Sequence, residues 1–205
     1  MPMKRIDFKG EFGKFYFPPP AKMALVDLPA LNFAMIDGMG NPNTAPAFRE
    51  ALEALYGVSY TAKFTLKRAG VVDYRVAPLE ALWGTHGGSG FSSESKDTWE
   101  WTAMVMQPVD VTPVRFREAA VKLKEKRDPP GLANLRLERF HEGLAAQVLY
   151  LGPYSAEGPI IEKLHSFIKD EGLTARGRHH EIYLGDPRRN APERLRTVIR
   201  QPVKR

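Results

Sequence analysis

The sequence contains no cysteine, which excludes disulfides, thiolate metal sites and cysteine nucleophiles. No apolar run approaches the roughly 18 residues that a membrane-spanning helix needs. The N-terminal residues also lack the continuous apolar segment of a secretory signal. These absences predict a cytoplasmic protein with no membrane partner.

Several motifs that would identify a reaction are missing as well. The chain has no GxSxG elbow, no P-loop and no dinucleotide fingerprint, because Gly38 and Gly40 alone do not make one. His179 and His180 are adjacent in a predicted strand, so they point to opposite faces and do not form a shared metal site. The sequence therefore predicts neither a metal nor a cofactor.

The chain carries an excess of positive charge, but this charge is not concentrated in one segment. The net charge of the 205-residue chain is +6, yet most lysines and arginines alternate with acidic residues. We find neither a DNA-recognition helix nor an aromatic–basic RNA-binding signature. This pattern predicts a solvated basic surface and no nucleic-acid partner. The 43% hydrophobic and 26% charged residues are ordinary values for a globular chain of one large domain or two small ones.

The C-terminal stretch, residues 178–202, has the most informative pattern. It reads as two strands, 180–184 and 195–200, joined by a turn-rich loop. In the first strand, alternation places Glu181 and Tyr183 on one face of the strand. A carboxylate beside a phenol is a recognition or acid/base pair if that face lines a concave apolar site. We expect partial burial to raise the pKa of Glu181 toward the range of a general base.

The remaining elements follow from periodicity and turn residues. Residues 1–22 form an aromatic N-terminal arm that packs onto the body. Strands are predicted at 24–27, 33–37, 74–77, 98–107, 135–141 and 145–151, with a short strand or turn at 78–83. Helices are predicted at 45–56, where Gly57 ends the helix, at 112–126 and at 159–171. Residues 38–43 and 84–95 are predicted loops, and 61–66 is either helix or strand.

The two halves of the chain share one order of elements. Each half is a strand–helix–strand–strand unit that ends in Gln-Pro-Val, at 107–109 and 201–203. The units span about 24–109 and about 135–203, with a connecting helix at 113–127. We therefore predict an α+β fold: a single domain, 23–205, of two units paired about a pseudo-two-fold axis. Its sheet is mostly antiparallel with helices on one face, and the natural ligand site is either the exposed face of the sheet or the cleft between the halves.

Six blocks spread over nearly the whole chain form a recognisable set: MIDGMGNPN (35–43), ALEALYG (51–57), DYRVAPLEALW (73–83), TWEWTAMVMQP (98–108), YLGPYSAEGPIIEKLHSFI (150–168) and HHEIYLGDPRRNAPERLRTVIRQPV (179–203). Together these blocks closely resemble the GyrI-like family. The family comprises small-molecule-binding domains, found alone or fused to DNA-binding modules in multidrug-responsive regulators. This chain resembles the stand-alone branch. It departs from the family where Gly84 follows Trp83, since members often carry two adjacent tryptophans there.

The resemblance implies a pocket with Glu181 as its carboxylate and Tyr183 as the adjacent phenol. Tryptophans are candidates for an aromatic wall that stacks on a planar ligand or holds a cation, although large aromatics usually fill the core. Methionines would supply an adaptable apolar lining. The candidate ligand-binding residues are Trp83, Trp99, Trp101, Tyr150, Tyr154, Met35 and Met104.

Three functions remain open at this point. The first is binding of aromatic or cationic amphipathic compounds by a stand-alone protein. The second is cofactor-independent hydrolysis, because some stand-alone GyrI-like proteins hydrolyse strained cyclopropane rings in DNA-alkylating natural products. By resemblance, Glu181 would then activate water and Tyr183 would orient or protonate the substrate. A third, weaker hypothesis is inhibition of DNA gyrase, after the family's namesake. Nothing in the sequence specifies such an interface, so a protein partner stays unspecified.

Overall fold

A computed structural model describes residues 3–85 and 96–205. The predicted loop at 84–95 lies outside the described residues except at 84–85, where that prediction is wrong because both residues continue a strand. The strands are β1 (Lys4–Arg5), β2 (Ala24–Leu28), β3 (Leu31–Met39), β4 (Val72–Asp73), β5 (Leu79–Thr85), β6 (Trp99–Gln107), β7 (Arg136–Phe140), β8 (Gly143–Leu151), β9 (Thr174–Ala175), β10 (His179–Tyr183) and β11 (Arg196–Lys204). The helices are α1 (Phe8–Tyr16), α2 (Pro46–Arg68), α3 (Pro113–Lys126) and α4 (Gly158–Asp170).

The order of strands in the main sheet confirms the α+β fold and shows the duplication. Within the described residues this sheet has nine strands, in the order β2-β8-β11-β10-β5-β6-β3-β7, with β9 paired to β11. All of its strand pairs are antiparallel. The β10–β5 pair lies at the centre of the sheet. Outward from this pair, the strands follow in the order β10, β11, β8 in one half and β5, β6, β3 in the other. In both halves this is the second, last and first strand of the repeat. The two halves therefore meet at equivalent strands.

The strands at the two ends of this sheet are exchanged between the halves. Strand β2 lies at the start of the first half, ahead of its strand–helix–strand–strand elements, but pairs with β8 of the second half. Strand β7 has the same place in the second half but pairs with β3 of the first. Each half is thus completed by a strand that belongs to the other in sequence. The exchange joins both repeats in one continuous sheet.

The helices divide between the two faces of the sheet. Helix α2 contacts the tryptophans of β5 and β6 through Phe48, and α4 packs against Ile199 of β11. Ile199 is the cross-strand neighbour of Glu181. Both helices therefore cover the face of the sheet that carries Glu181. Helix α1 lies on the opposite face, where Phe15 packs with Ile182. The N-terminal arm thus packs onto the body as expected, but it does so as a helix, which the sequence did not predict.

Helix α2 is longer than predicted, and the prediction that Gly57 ends it is wrong. The helix continues to Arg68, which also settles residues 61–66 as helix. Gly57 serves helix packing: a Cβ there would come within 2.8 Å of the Leu123 side chain on α3. A small residue is needed at this crossing because α3 approaches closely.

Two further local predictions are wrong. Residues 74–77 are not a strand, since β4 ends at Asp73 and β5 begins at Leu79. Residues 38–43 are not all loop, because β3 continues through Gly38 to Met39. Gly38 pairs with Trp101, whose indole lies directly over the Gly38 backbone. The glycine therefore makes room for a buried ring.

This contact predicts that Gly38→Ala destabilises the protein. A methyl group at Gly38 would overlap with the Trp101 ring, and overpacking of a core typically costs about 1–3 kcal/mol. Gly13→Ala in α1 is the matched control, because a Cβ there meets nothing within 4 Å and alanine favours helix. Urea unfolding of both variants measures the effect, and equal stabilities would refute this account of Gly38.

No helix among the described residues combines the length and the apolar character that a membrane crossing requires.

Candidate functional site

One face of β10 carries a short chain of hydrogen-bonded polar side chains. The Tyr183 hydroxyl donates to Oε2 of Glu181 at 2.5 Å, and Nε2 of His179 lies 3.0 Å from Oε1 of the same carboxylate. Nε1 of Trp83, on the neighbouring strand β5, donates to the Tyr183 hydroxyl at 3.0 Å. The alternation predicted from the sequence therefore holds, and it brings His179 into the same group. The carboxylate is fixed from two sides.

Aromatic side chains surround this polar group. Trp83 packs edge-on against Trp99, with ring centroids 5.3 Å apart, and lies 5.8 Å from the ring of Phe48. On the other side, Tyr154 meets Tyr183 edge-on at 5.4 Å. These rings come from α2, β5, β6, β10 and the turn before α4, so elements of both repeats build the site. Such a wall can stack on a planar ligand.

The environment of Glu181 corrects the expectation about its acidity. Burial opposes ionisation, but the hydrogen bond and charge of His179, together with the hydrogen bond from Tyr183, outweigh it and lower the pKa of Glu181. The sequence led us to expect a raised pKa, and that expectation is wrong. Burial and the adjacent Glu181 charge raise the pKa of Tyr183 well above its usual value. At neutral pH the pair is thus a carboxylate and a neutral phenol.

A second carboxyl group, Glu157, lies in the same region with the opposite tendency. Its side chain is 4% exposed, and its Oε1 atom has no hydrogen-bond partner among the described residues. Burial, reinforced by the negative charge of Glu181, raises the pKa of Glu157 to about 8. The site therefore contains one ionised and one neutral carboxyl group at pH 7.

These side chains open into a groove of about 2440 Å³. Because this volume exceeds that of a single small-molecule pocket, the site corresponds to one part of the groove. Of the residues predicted from the sequence, five line it: Trp83, Trp99, Tyr154, Glu181 and Tyr183. The groove also has cationic side chains at its edge, among them Lys96, whose ammonium lies 5.3 Å from the Trp99 ring centroid.

The other predicted residues lie elsewhere. Trp101 is on the site's face of the sheet but is buried beneath Phe48. Tyr150 directs its hydroxyl to the carbonyl of Pro153. Met35 and Met104 are cross-strand neighbours on the opposite face of the sheet, because Met104 pairs with Glu80 rather than with a site residue. The structure does not bring these four side chains to the groove.

Sequence reasoning missed Phe48, Glu157 and, as part of the site, His179. Phe48 belongs to the apolar stripe of α2, which by itself indicates only a buried face. His179 shares the alternation of Glu181 and Tyr183, so that signal was available. Glu157 precedes a Gly-Pro pair at the start of α4, and a carboxylate near a helix N-terminus is common. The described residues include no cluster of three or more histidine, aspartate and glutamate side chains suited to hold a metal ion.

The fold and the groove define a class of protein: a duplicated α+β domain with a groove lined by aromatic side chains. The family model of the GyrI-like small molecule binding domain matches residues 21–204, and the chain belongs to this family. A search of curated proteins gave no match.

Solved structures agree with this assignment. An uncharacterized conserved protein from Listeria innocua is 35% identical, with 97% of this chain and 100% of that chain covered and a TM-score of 0.90. A protein described as a hydrolase, also from Listeria innocua, is 34% identical, with coverage of 98% and 100% and a TM-score of 0.88. The C-terminal domain of EcmrR shares the fold at 12% identity, with coverage of 90% and 98% and a TM-score of 0.53.

Proposed function

We propose that this protein binds planar aromatic compounds, including cationic ones, in the part of the groove formed by Trp83, Trp99, Tyr154 and Tyr183, with Glu181 at its floor. The observation that carries the proposal is an ionised, hydrogen-bonded carboxylate enclosed by aromatic rings. Aromatic faces contribute stacking and cation–π attraction, and a carboxylate favours positive ligands. Such a site has broad specificity with a preference set by charge.

The carboxylate retains capacity for a ligand. An ionised carboxylate accepts about four hydrogen bonds, and the two contacts to His179 and Tyr183 use one position on each oxygen of Glu181. The remaining positions suit a ligand cation or a water molecule. Binding of a cation and positioning of a water molecule would therefore use the same free positions on the Glu181 carboxylate.

The aromatic wall predicts that Trp83→Leu weakens ligand binding. Loss of the indole removes a stacking surface and the donor to Tyr183, so we expect affinity to fall about tenfold or more, since a stacked aromatic contact contributes about 1 kcal/mol beyond its buried area. Calorimetric titration with proflavine, a planar cation, and acridone, its neutral relative, measures the change. Tyr150→Leu is the matched control, because Tyr150 does not line the groove. Equal losses in the two variants would place the ligand elsewhere.

A second candidate function is hydrolysis of a strained, electrophilic ring. It is favoured by the two carboxyl groups, whose pKa values are displaced in opposite directions, as general acid/base pairs require. The Listeria innocua relative described as a hydrolase supports hydrolysis as the reaction type. In this reaction Glu181 would position and deprotonate the attacking water, and Tyr183 would hold the carboxylate in place. Ring strain supplies driving force.

Binding and turnover are separable by one experiment. The simplest spirocyclopropyl cyclohexadienone adds water to give para-hydroxyphenethyl alcohol, so its disappearance and that product are followed by liquid chromatography. Product formation above the uncatalysed rate supports the hydrolase. Binding of proflavine and acridone without product formation supports recognition alone.

A further inference from the structure

The aromatic wall does not include Glu157, and the proposed function assigns this residue no contact with the ligand, yet Glu157 has the features of a functional group. It lies immediately before α4 and lines the groove with Glu181 and Tyr183. Although only 4% of it is exposed, its Oε1 atom finds no hydrogen-bond partner among residues 3–85 and 96–205. A buried polar atom without a partner is uncommon and needs an explanation. A ligand atom in the groove would supply the missing contact.

We propose that Glu157 is the proton donor of this site, with a neutral carboxyl that offers a hydrogen bond, and during hydrolysis a proton, to a carbonyl oxygen of the ligand. The inference rests on the proposed function, because it concerns the same groove and the same ligand. It also narrows the ligand class. The preferred compounds would be planar aromatics that carry a conjugated carbonyl group.

The surroundings of Glu157 favour the neutral form. The titratable and charged groups that act on it or respond to it are Glu181 and Tyr183 from β10, Tyr150 from β8, the adjacent Tyr154, and Lys96 before β6. The carboxylate of Glu181 is stabilised by His179, so it retains its charge and repels a second charge on Glu157. The Thr197 hydroxyl on β11 and the charge of Lys96 oppose this effect, but both rank below burial and Glu181, so the pKa of Glu157 is raised to about 8.

The proposed reaction balances with these two groups. Water attacks a ring carbon while Glu181 takes one of its protons, and a new C–O bond forms. A C–C bond of the three-membered ring breaks, and its electron pair moves through the conjugated system to the carbonyl oxygen. Glu157 protonates that oxygen, which becomes a phenol. Transfer of the proton from Glu181 to Glu157 through solvent restores the starting state.

A binding experiment tests the hydrogen bond without turnover. Acridone is titrated calorimetrically into the protein at pH values below and above the Glu157 pKa of about 8. The parent should lose at least tenfold in affinity as the pH rises through this value, because the ionised carboxyl can no longer donate. Glu157→Gln retains an amide donor, so its affinity should stay constant. Glu162→Gln, an exposed position on the same helix, is the control and should behave like the parent.

Turnover and stability give two further measurements. Hydrolysis of the spirocyclopropyl dienone should fall about 100-fold in Glu157→Gln, because an amide cannot transfer a proton, a contribution typical of general acids. The raised pKa also means that stability is greatest below the unfolded-state value near 4.5 and is lost as the pH rises through about 8. The urea midpoint of the parent should therefore decline over this interval relative to that of Glu157→Gln.

The outcomes distinguish this inference from the proposed function. If acridone binds with the same affinity across the pH range in the parent, Glu157 is not the donor, although the groove remains the binding site. If no probe binds, the proposed function fails, and the stability comparison still decides the protonation of Glu157. Parallel pH dependence of the urea midpoints in the parent and Glu157→Gln would then overturn the inference as well.

Discussion

Replacing Glu181 with glutamine should remove the preference for cationic ligands and strongly reduce any hydrolysis. Glutamine preserves the volume but lacks the charge and one of the two acceptor oxygens, so the contacts with Tyr183 and His179 cannot both persist unchanged. Hydrogen bonds to charged groups contribute about 1.5–3 kcal/mol, so affinity for proflavine should fall by one to two orders of magnitude. Turnover of the spirocyclopropyl dienone should fall by about 10²–10⁴-fold, the range expected for loss of a general base.

Two comparisons make this result specific to the site. Glu193→Gln removes an exposed carboxylate from the connection between β10 and β11, and it should leave binding and turnover unchanged. Acridone, which carries no charge, should lose less affinity than proflavine in Glu181→Gln. If both probes and both variants respond alike, the groove does not use Glu181 for recognition.

The pH dependence of the parent protein follows from the lowered pKa of Glu181. A carboxyl group with a depressed folded-state pKa contributes stability above its unfolded-state value, near 4.5, and this contribution is lost as the pH falls through the folded-state pKa. Binding of proflavine should accordingly persist into mildly acidic solution. The raised pKa of Glu157 has the opposite effect, because its contribution to stability is lost as the pH rises. The acid limb of a pH–stability profile therefore reports on Glu181 and the alkaline limb on Glu157.

The local parts of the site could be predicted from the sequence, because alternation along a strand depends only on neighbouring residues. It placed Glu181 with Tyr183, and the same rule could have added His179. Alternation along β6 also placed Met104 on the other face of the strand from Trp99 and Trp101. The register between β3 and β6 places Met35 beside Met104. We expected these methionines to line the pocket because methionine side chains are adaptable, but the alternation already pointed Met104 away from the tryptophans.

The remaining parts depend on contacts between distant segments. The acidity of Glu181 could not be deduced from burial alone, because its direction is set by the approach of His179 and Tyr183. Phe48 and Glu157 reach the groove only through the way α2 and α4 lie on the sheet. Gly57 looked like a helix end, and only the close approach of Leu123 from α3 explains its place inside α2. Tertiary packing overrode the local signal there.

The opposite face of the sheet holds a buried charged network that fixes α1. His180 lies 2.8 Å from Glu142 and 3.1 Å from Glu80, and Arg200 donates to Glu142 at 3.0 Å. The network reaches α1 twice: the Tyr16 hydroxyl donates to Glu80 at 2.5 Å, and Arg200 donates to the carbonyl of Phe15 at 2.7 Å. Two carboxylates thus face two cationic side chains, and the charges balance only while all four are present.

Glu142→Gln should therefore destabilise the protein more than Glu181→Gln or Glu157→Gln does. It leaves His180 and Arg200 buried with one carboxylate too few, and breaking a buried ion pair from one side typically costs about 3–5 kcal/mol. Glu138→Gln, at an exposed pair with Arg136 on β7, is the control and should change stability by at most about 1 kcal/mol. Urea unfolding of these variants decides the comparison, and hydrogen exchange should show the loss of protection concentrated in α1.

The network also predicts how stability depends on pH. Burial opposes ionisation of Glu142, but the charges of His180 and Arg200 prevail and lower its pKa to about 2. Its contribution is therefore complete above the unfolded-state value near 4.5 and is lost as the pH falls toward 2. Glu142 and Glu80 raise the pKa of His180 despite its burial, so that contribution is complete below about 6.5 and declines as the pH rises through the raised value. Glu142→Gln should flatten the acid limb; an unchanged limb would show that Glu142 does not hold the network together.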